Sequence, residues 1–148
     1  MQVFREYSLT MVEKELMKEF LNATLQGDKI IILGAQEISG KLKLSRPRAY
    51  AILINLESKG ILEKFKRKGF LLTSKGENLI HEINHREKIL ETYFYKELQF
   101  PLENAMEEAS SLSIYASSFL INTLCDKIGM PKVCPHGIAI NHDLSTHT

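Results

Sequence analysis

The segment from Ser45 to Gly60 constrains the fold of this chain more than any other part of the sequence. Ser45 is a favourable helix N-cap, and Pro47 lies in the first turn, where its missing N–H costs no hydrogen bond. Apolar residues recur at helical spacing after it until Gly60, a residue type that commonly ends helices in the left-handed conformation. The sequence therefore predicts one helix with both ends defined.

Short apolar runs on either side of this helix predict the rest of the N-terminal half. Leu9 to Leu25 and Ala35 to Lys43 have the apolar spacing of helices. Beyond Gly60, the runs 61–65 and 70–73 flank the polar Lys66-Arg67-Lys68-Gly69, which predicts a β-hairpin with a basic turn. This order of elements is that of an N-terminal winged helix-turn-helix.

Charge is distributed unevenly along the 148 residues. The formal net charge is only +1, which excludes a strongly basic coating protein. However, residues 1–76 hold 14 Lys and Arg against 8 Asp and Glu, whereas residues 77–148 hold 5 against 10. A basic half of this kind indicates nucleic-acid binding.

The basic residues concentrate where the helix and hairpin are predicted. The stretch from position 41 to position 75 contains ten Lys and Arg and only two acidic residues. DNA phosphates attract such a basic strip. The N-terminal turns of a recognition helix enter the major groove, where Arg reads guanine, and a hairpin turn contacts the backbone. The predicted DNA-binding residues are Ser45, Arg46, Pro47, Arg48, Tyr50, Lys66, Arg67 and Lys68.

The C-terminal half is predicted to be all helical. Ser74 and Glu77 have the spacing of a capping box at the start of a helix of about 25 residues that ends near Phe100. Helical stretches at 102–109 and 113–128 follow, then a Cys134-Pro135-His136-Gly137 turn and a tail. The fold class is thus mainly α.

Several functional classes find no support in the sequence. The longest aliphatic run has four residues and the N-terminus lacks a signal-peptide pattern, so a cytoplasmic protein without membrane contact is expected. The two cysteines are expected as thiols. No catalytic Ser-His-Asp or Cys-His arrangement and no phosphate-binding Gly-rich loop occurs, so an enzyme is not expected.

Motifs along residues 10–140 resemble the diphtheria-toxin-repressor-like (DtxR/MntR) metalloregulators. The resemblance lies in Ala35-x-Glu37-Ile38, Leu44-Ser45-x-Pro47, Leu56-x-x-x-Gly60-Ile61-Leu62 and Leu72-Thr73-x-x-Gly76, and continues through 86–91, 106–109 and Val133-Cys134-Pro135-His136-Gly137. It implies a repressor that binds palindromic double-stranded DNA as a homodimer when loaded with Fe(II) or Mn(II). The expected domains are 1–74, the winged-helix DNA-binding domain; 75–140, the helical dimerisation and metal-binding-like domain; and 141–148, a tail.

The family's metal ligands are only partly present. The His and Glu that the family places four apart on the long helix correspond to Glu87 and Glu91, and two carboxylates on one helical face can bind a hard divalent ion. The family's next segment supplies four more ligands: a His, then a Cys or a Glu, then a Glu followed directly by a His. The four corresponding positions in this chain are Met106, Ser110, Ser113 and Ile114. The resemblance therefore implies a degenerate site, in which Met106 is either a soft donor or, like the other methionines, a core side chain.

Other donors allow a rearranged site. Cys134 and His136 lie two apart in the terminal turn, as metal ligands or as a purely structural turn. His81 and His85 are four apart, a spacing that suits a shared metal ion but is more typical of exposed surface residues. Two functional hypotheses follow: a DNA-binding regulator with altered, lost or relocated metal dependence, or a winged-helix protein-interaction module without sequence-specific DNA binding.

Overall fold

The computed structural model describes residues 9–24, 30–140 and 142, and over these the chain is mainly helical, as predicted. The elements are α1 (Met11–Thr24), α2 (Ala35–Leu42), α3 (Arg46–Ser58), β1 (Leu62–Phe65), β2 (Gly69–Leu72), α4 (Ser74–Lys96), α5 (Leu102–Leu112) and α6 (Ser118–Lys127). Leu25, the predicted end of the first helix, and the tail except His142 lie outside the described residues. The chain divides into two compact units between Ile80 and His81, within α4.

The first unit contains α1, α2, α3 and the hairpin. The predicted cap of α3 is confirmed, because the Ser45 hydroxyl accepts the Arg48 backbone N–H at 3.3 Å. Gly60 follows with φ +78°. The core consists of fully or almost fully buried apolar side chains, including Leu16, Phe20, Ile38, Leu53, Leu56, Ile61 and Phe70.

A buried carboxylate joins α1 to α3. Glu13 is 3 % exposed, and its Oε1 accepts the Thr10 backbone N–H at 3.1 Å while its own N–H donates to the Thr10 hydroxyl at 3.2 Å. Its Oε2 accepts from Asn55 Nδ2 at 3.2 Å and from Lys59 Nζ at 2.9 Å. One side chain thus caps α1 and fixes the C-terminal end of α3.

The hairpin has the predicted basic turn, and its register pairs Leu62 with Leu72 and Phe65 with Gly69. Leu33 adds a third short segment by exchanging two backbone hydrogen bonds with Phe70, at 2.9 and 2.8 Å. The β-branched run before Leu33 thus leads into a short pairing with the hairpin.

The start of α4 differs from the predicted capping box. Thr73, rather than Ser74, caps this helix, since its hydroxyl accepts the Gly76 N–H at 3.1 Å and donates to the Gly60 carbonyl at 2.6 Å. Thr73 also pairs through its backbone N–H with the Ile61 carbonyl at 3.0 Å. Because the hairpin and α4 are joined directly, the helix cap is Thr73, one position before the predicted Ser74.

The second unit contains the rest of α4, with α5, α6 and the terminal turn. The predicted helix 113–128 is shorter, since α6 begins at Ser118 with the Ser117 hydroxyl as its cap. Arg86 fixes the irregular segment before it: the fully buried guanidinium donates to the Ala116 carbonyl, to Ser118 Oγ at 2.9 Å and to Glu82 at 3.1 Å. Burial lowers the pKa of Arg86, and the Glu82 carboxylate opposes this shift.

The described residues include no helix long and apolar enough to cross a membrane.

Gly76→Ala is expected to destabilise the protein by about 1–3 kcal/mol, because an added Cβ would overlap the Ile61 carbonyl oxygen. Gly40→Ala is the matched control: it also lies in a helix, has open space around the added Cβ, and should stabilise by about 0.5–1 kcal/mol. Urea unfolding of both variants checks this. Equal effects of the two substitutions would contradict the close approach at Gly76.

Candidate DNA interface and metal centre

All eight predicted DNA-binding residues are exposed in the first unit. Ser45, Arg46, Pro47, Arg48 and Tyr50 lie at the start of α3, and Lys66, Arg67 and Lys68 form the hairpin turn. In the part of the chain that the structure describes, no acidic side chain pairs with these five cations. Their charges are therefore available to an external anion.

A groove of about 510 Å³ lies between the start of α2, α3 and the hairpin. Its polar lining is mostly cationic, with Lys64, Lys66, Arg67 and Lys68 opposite Tyr50. The Tyr50 ring contacts buried Phe70 edge-on, with 6.2 Å between ring centroids, which fixes the phenol beside the hairpin. The groove thus brings Tyr50 of α3 together with the basic residues of the hairpin, while Arg46 and Arg48 lie outside its lining.

The structure separates the basic strip into free and paired cations. Lys59 is only 20 % exposed and binds buried Glu13, so it does not contribute to the basic surface. Lys41 lies 3.5 Å from Glu19, and Lys64 lies 3.9 Å from Glu57. Glu37 also faces the groove, where it accepts the Gly34 N–H at 3.0 Å and caps α2. The sequence count of ten cations therefore overstates the charge presented to a ligand.

In the second unit, Glu91, Cys134 and His136 lie together. Their ligand atoms all fall within 4.8 Å of one another, the one such group of three or more His, Cys, Asp or Glu found among the described residues. His136 Nδ1 lies 2.5 Å from Glu91 Oε1 and 3.2 Å from Cys134 Sγ. Glu91 and Cys134 are buried, whereas the His136 side chain is 27 % exposed.

The backbone of the terminal turn holds this group in place. Gly137, with φ +92°, donates its N–H to the Cys134 carbonyl at 2.9 Å, and Cys134 donates to the Ile138 carbonyl at 2.9 Å. The turn brings Cys134 and His136 back toward α4, where Glu91 lies. A carboxylate, a thiol and an imidazole are donors that suit a divalent transition metal, so the residues present fit such an ion.

Lys88 is a neighbour of this group that the sequence did not single out. Its ammonium donates to the Ala139 carbonyl at 2.9 Å and so anchors the terminal turn to α4. Burial lowers the pKa of Lys88, while Cys134, Glu87 and Glu91 oppose the shift. A positive charge therefore already lies near the donors that would bind a cation.

The remaining predicted ligands lie elsewhere. Glu87 is outside the three-residue group, and the buried Ser113 hydroxyl lies 3.4 Å from its Oε1. Met106 lies on α5 with 40 % of its surface exposed. Ile114 is buried and carries no donor. The structure thus brings together three of the five predicted ligands.

His85 differs from the surface residue that was expected. It is 3 % exposed, and its ring lies edge-on to that of His142 with 5.4 Å between centroids. No spacing signal in the sequence indicated this contact, because 57 positions separate the two residues.

One protein family matches the C-terminal half of the chain. Residues 73–142 match the family described as iron dependent repressor, metal binding and dimerisation domain. No curated protein sequence matches this chain.

Solved structures share the fold over most of the chain. A hypothetical protein from Sulfolobus solfataricus is 20 % identical, with a TM-score of 0.72 over 88 % of this chain and 95 % of that one. The manganese regulator SloR is 25 % identical, with a TM-score of 0.73 over 88 % of this chain and 59 % of its own. ScaR with bound Zn²⁺ is 24 % identical, with a TM-score of 0.72 over 86 % of this chain and 58 % of the ScaR chain. This chain thus spans about three fifths of the length of SloR and ScaR.

His136→Ala is expected to bind one equivalent of Zn(II) fewer than the wild-type protein, because it removes the nitrogen between the thiol and the carboxylate. His81→Ala is the control, since it removes an imidazole that is not in the group. Calorimetric titration of metal-free protein with Zn(II), Fe(II) and Mn(II) measures both. An unchanged stoichiometry and affinity in His136→Ala would show that the group binds no metal.

Proposed function

We propose that this chain, which belongs to the diphtheria-toxin-repressor-like family through its iron-dependent-repressor domain, is a cytoplasmic metal-responsive transcriptional regulator. It binds palindromic double-stranded DNA as a homodimer. The observation that carries the proposal is the joining of two features in one chain: the exposed basic surface of the first unit, and the Glu91–Cys134–His136 group in the second.

In this proposal the first unit is a winged helix-turn-helix, with α3 as the recognition helix and the hairpin as the wing. Arg46 and Arg48 read base edges in the major groove, and Tyr50 contacts a phosphate or a thymine methyl. Ser45 and the wing residues bind the backbone. The exposed position of these side chains and the basic groove between helix and hairpin support this assignment.

Domain roles follow the same division. We assign DNA binding to residues 1–74, and dimerisation and metal binding to 75–140. Large apolar side chains exposed in the second unit support self-association, since a partner that covers them removes apolar surface from water. They include Leu112, Tyr115, Phe119 and Leu120, of which Phe119 is 81 % exposed.

The effector in this proposal is a divalent transition metal held by Glu91, Cys134 and His136. Its binding would replace the short contact of His136 with Glu91 by bonds to a shared cation, and would offset the charge of the carboxylate and thiolate. The Lys88 ammonium, which donates to the Ala139 carbonyl, adds a positive charge in the neighbourhood of these donors. The titration of His136→Ala described above tests this part separately from DNA binding.

Arg48→Ala is expected to weaken specific DNA binding by about 1–3 kcal/mol, the cost of a lost bidentate contact with guanine. Lys68→Ala should weaken binding to all sequences alike and lower the slope of log affinity against log salt by about 1, because it removes one phosphate contact. Lys127→Ala removes the same charge from α6 and is the control. The measurement is fluorescence anisotropy with duplexes selected by the metal-loaded protein from a random library.

Inverted repeats among the selected duplexes are the expected result for a homodimer. If the metal-loaded protein selects no duplex even at low salt, the proposal is wrong and the winged-helix protein-interaction module becomes the better explanation. If Arg48→Ala and Lys127→Ala bind equally well, α3 is not the recognition helix.

A further inference from the structure

A second group of metal-ligating side chains lies in the second unit, apart from Glu91, Cys134 and His136. Cys125 of α6 is fully buried, and its Sγ lies 3.7 Å from Nδ1 of His142. The ring of His85, from α4, lies next to that of His142. One thiol and two imidazoles thus come from three separate parts of the chain.

The contacts of His142 leave its Nδ1 facing the Cys125 sulfur. Its Nε2 lies 2.7 Å from the Pro131 carbonyl oxygen. A carbonyl oxygen only accepts hydrogen bonds, so Nε2 carries the proton and, in the neutral ring, Nδ1 directs a lone pair toward Cys125. Metal-ligating histidines commonly donate their other N–H to a carbonyl in this way, which fixes the ring and makes the free nitrogen a better donor.

The sulfur-to-nitrogen distance and the separation of the two rings each suit one tetrahedral ion, while the ligand atoms of all three side chains do not lie within 4.8 Å of one another. With Zn–S of about 2.3 Å and Zn–N of about 2.0 Å, a thiolate and an imidazole nitrogen on the same ion lie about 3.5 Å apart, and two imidazole centroids about 5.2 Å. The observed separations are 3.7 Å from sulfur to nitrogen and 5.4 Å between the ring centroids. His85 completes the set by turning its ring.

We propose that Cys125, His142 and His85 form a second metal site, which takes Zn(II) and is separate from the Glu91–Cys134–His136 group. Zn(II) displaces the Cys125 thiol proton to solvent and binds the thiolate and two neutral imidazoles. The fourth position is left to water. Bonds from one ion to α4, α6 and His142 tie the segment after the terminal turn to the helices, so the site stabilises the second unit.

The chemistry of Cys125 favours Zn(II) over Mn(II) or Fe(II). Burial raises the pKa of this thiol to about 11, and the Asp126 carboxylate adds to the shift. A metal that binds here at neutral pH must therefore displace a firmly held proton. Zn(II) has the higher affinity for thiolate and imidazole ligands, whereas Mn(II) and Fe(II) stand lowest in the divalent series.

Stoichiometric titration of the full-length metal-free protein with Zn(II), against a chromophoric chelator, tests the second site. The wild-type protein should bind two equivalents, and His142→Ala and His136→Ala one each. The double variant should bind none, and His81→Ala should bind two. With Co(II) as a spectroscopic probe, Cys125→Ser should lose half of the sulfur-to-cobalt charge-transfer absorption.

The same number of equivalents in His142→Ala as in the wild-type protein would overturn the proposal, whereas one equivalent in the wild-type protein that His142→Ala loses and His136→Ala keeps would contradict only the Glu91–Cys134–His136 site. Thermal unfolding provides a second measurement that does not depend on Cys125, which is buried in the core. Zn(II) should raise the Tm of His136→Ala, and this shift should disappear in the His136→Ala/His142→Ala variant. A Zn(II)-induced shift of equal size in both would overturn the proposal. Both measurements are independent of DNA binding.

Discussion

The first unit depends on the buried carboxylate of Glu13. An unpaired carboxylate at 3 % exposure would be strongly destabilising, and this one is compensated by the Thr10 N–H, the Asn55 amide and the Lys59 ammonium. Removal of Lys59 would leave the charge with only neutral donors. The same contacts fix α3 at its C-terminal end, while its N-terminal end, which carries Arg48, is exposed. The orientation of the proposed recognition helix thus depends on an interaction away from the DNA-facing surface.

The basic and acidic halves of the sequence acquire distinct physical roles in the structure. In the first unit, Lys41, Lys59 and Lys64 pair with carboxylates, and Lys64 lines the groove beside Tyr50 together with Lys66, Arg67 and Lys68. In the second unit, Glu91 lies beside the Cys134 thiol and the His136 imidazole. Glu87 lies beside the Ser113 hydroxyl instead. Two carboxylates four residues apart on one helix therefore have different partners, and only Glu91 belongs to a set of donors that can share a cation.

Two thiol–imidazole pairs form in the second unit, and they differ in what surrounds the imidazole. His136 has a carboxylate beside the same nitrogen that faces the Cys134 sulfur, which adds a hard donor to a softer pair. His142 has a carbonyl on its other nitrogen, which leaves one nitrogen and the Cys125 sulfur facing each other. The first arrangement suits a wider range of divalent ions, and the second suits a thiolate-preferring ion. The two sites are therefore expected to differ in metal selectivity.

The sequence by itself determined the order of the helices and strands, the Ser45 cap, the basic turn and the candidate DNA-binding residues. These features depend on local rules, such as helical periodicity, capping and glycine conformation, which act over a few neighbouring positions. The tertiary structure decided that Lys59 pairs with Glu13, that Glu91 joins Cys134 and His136, and that His85 is buried beside His142. Each of these contacts joins residues more than forty positions apart, and no local pattern specifies which distant side chains packing will bring together.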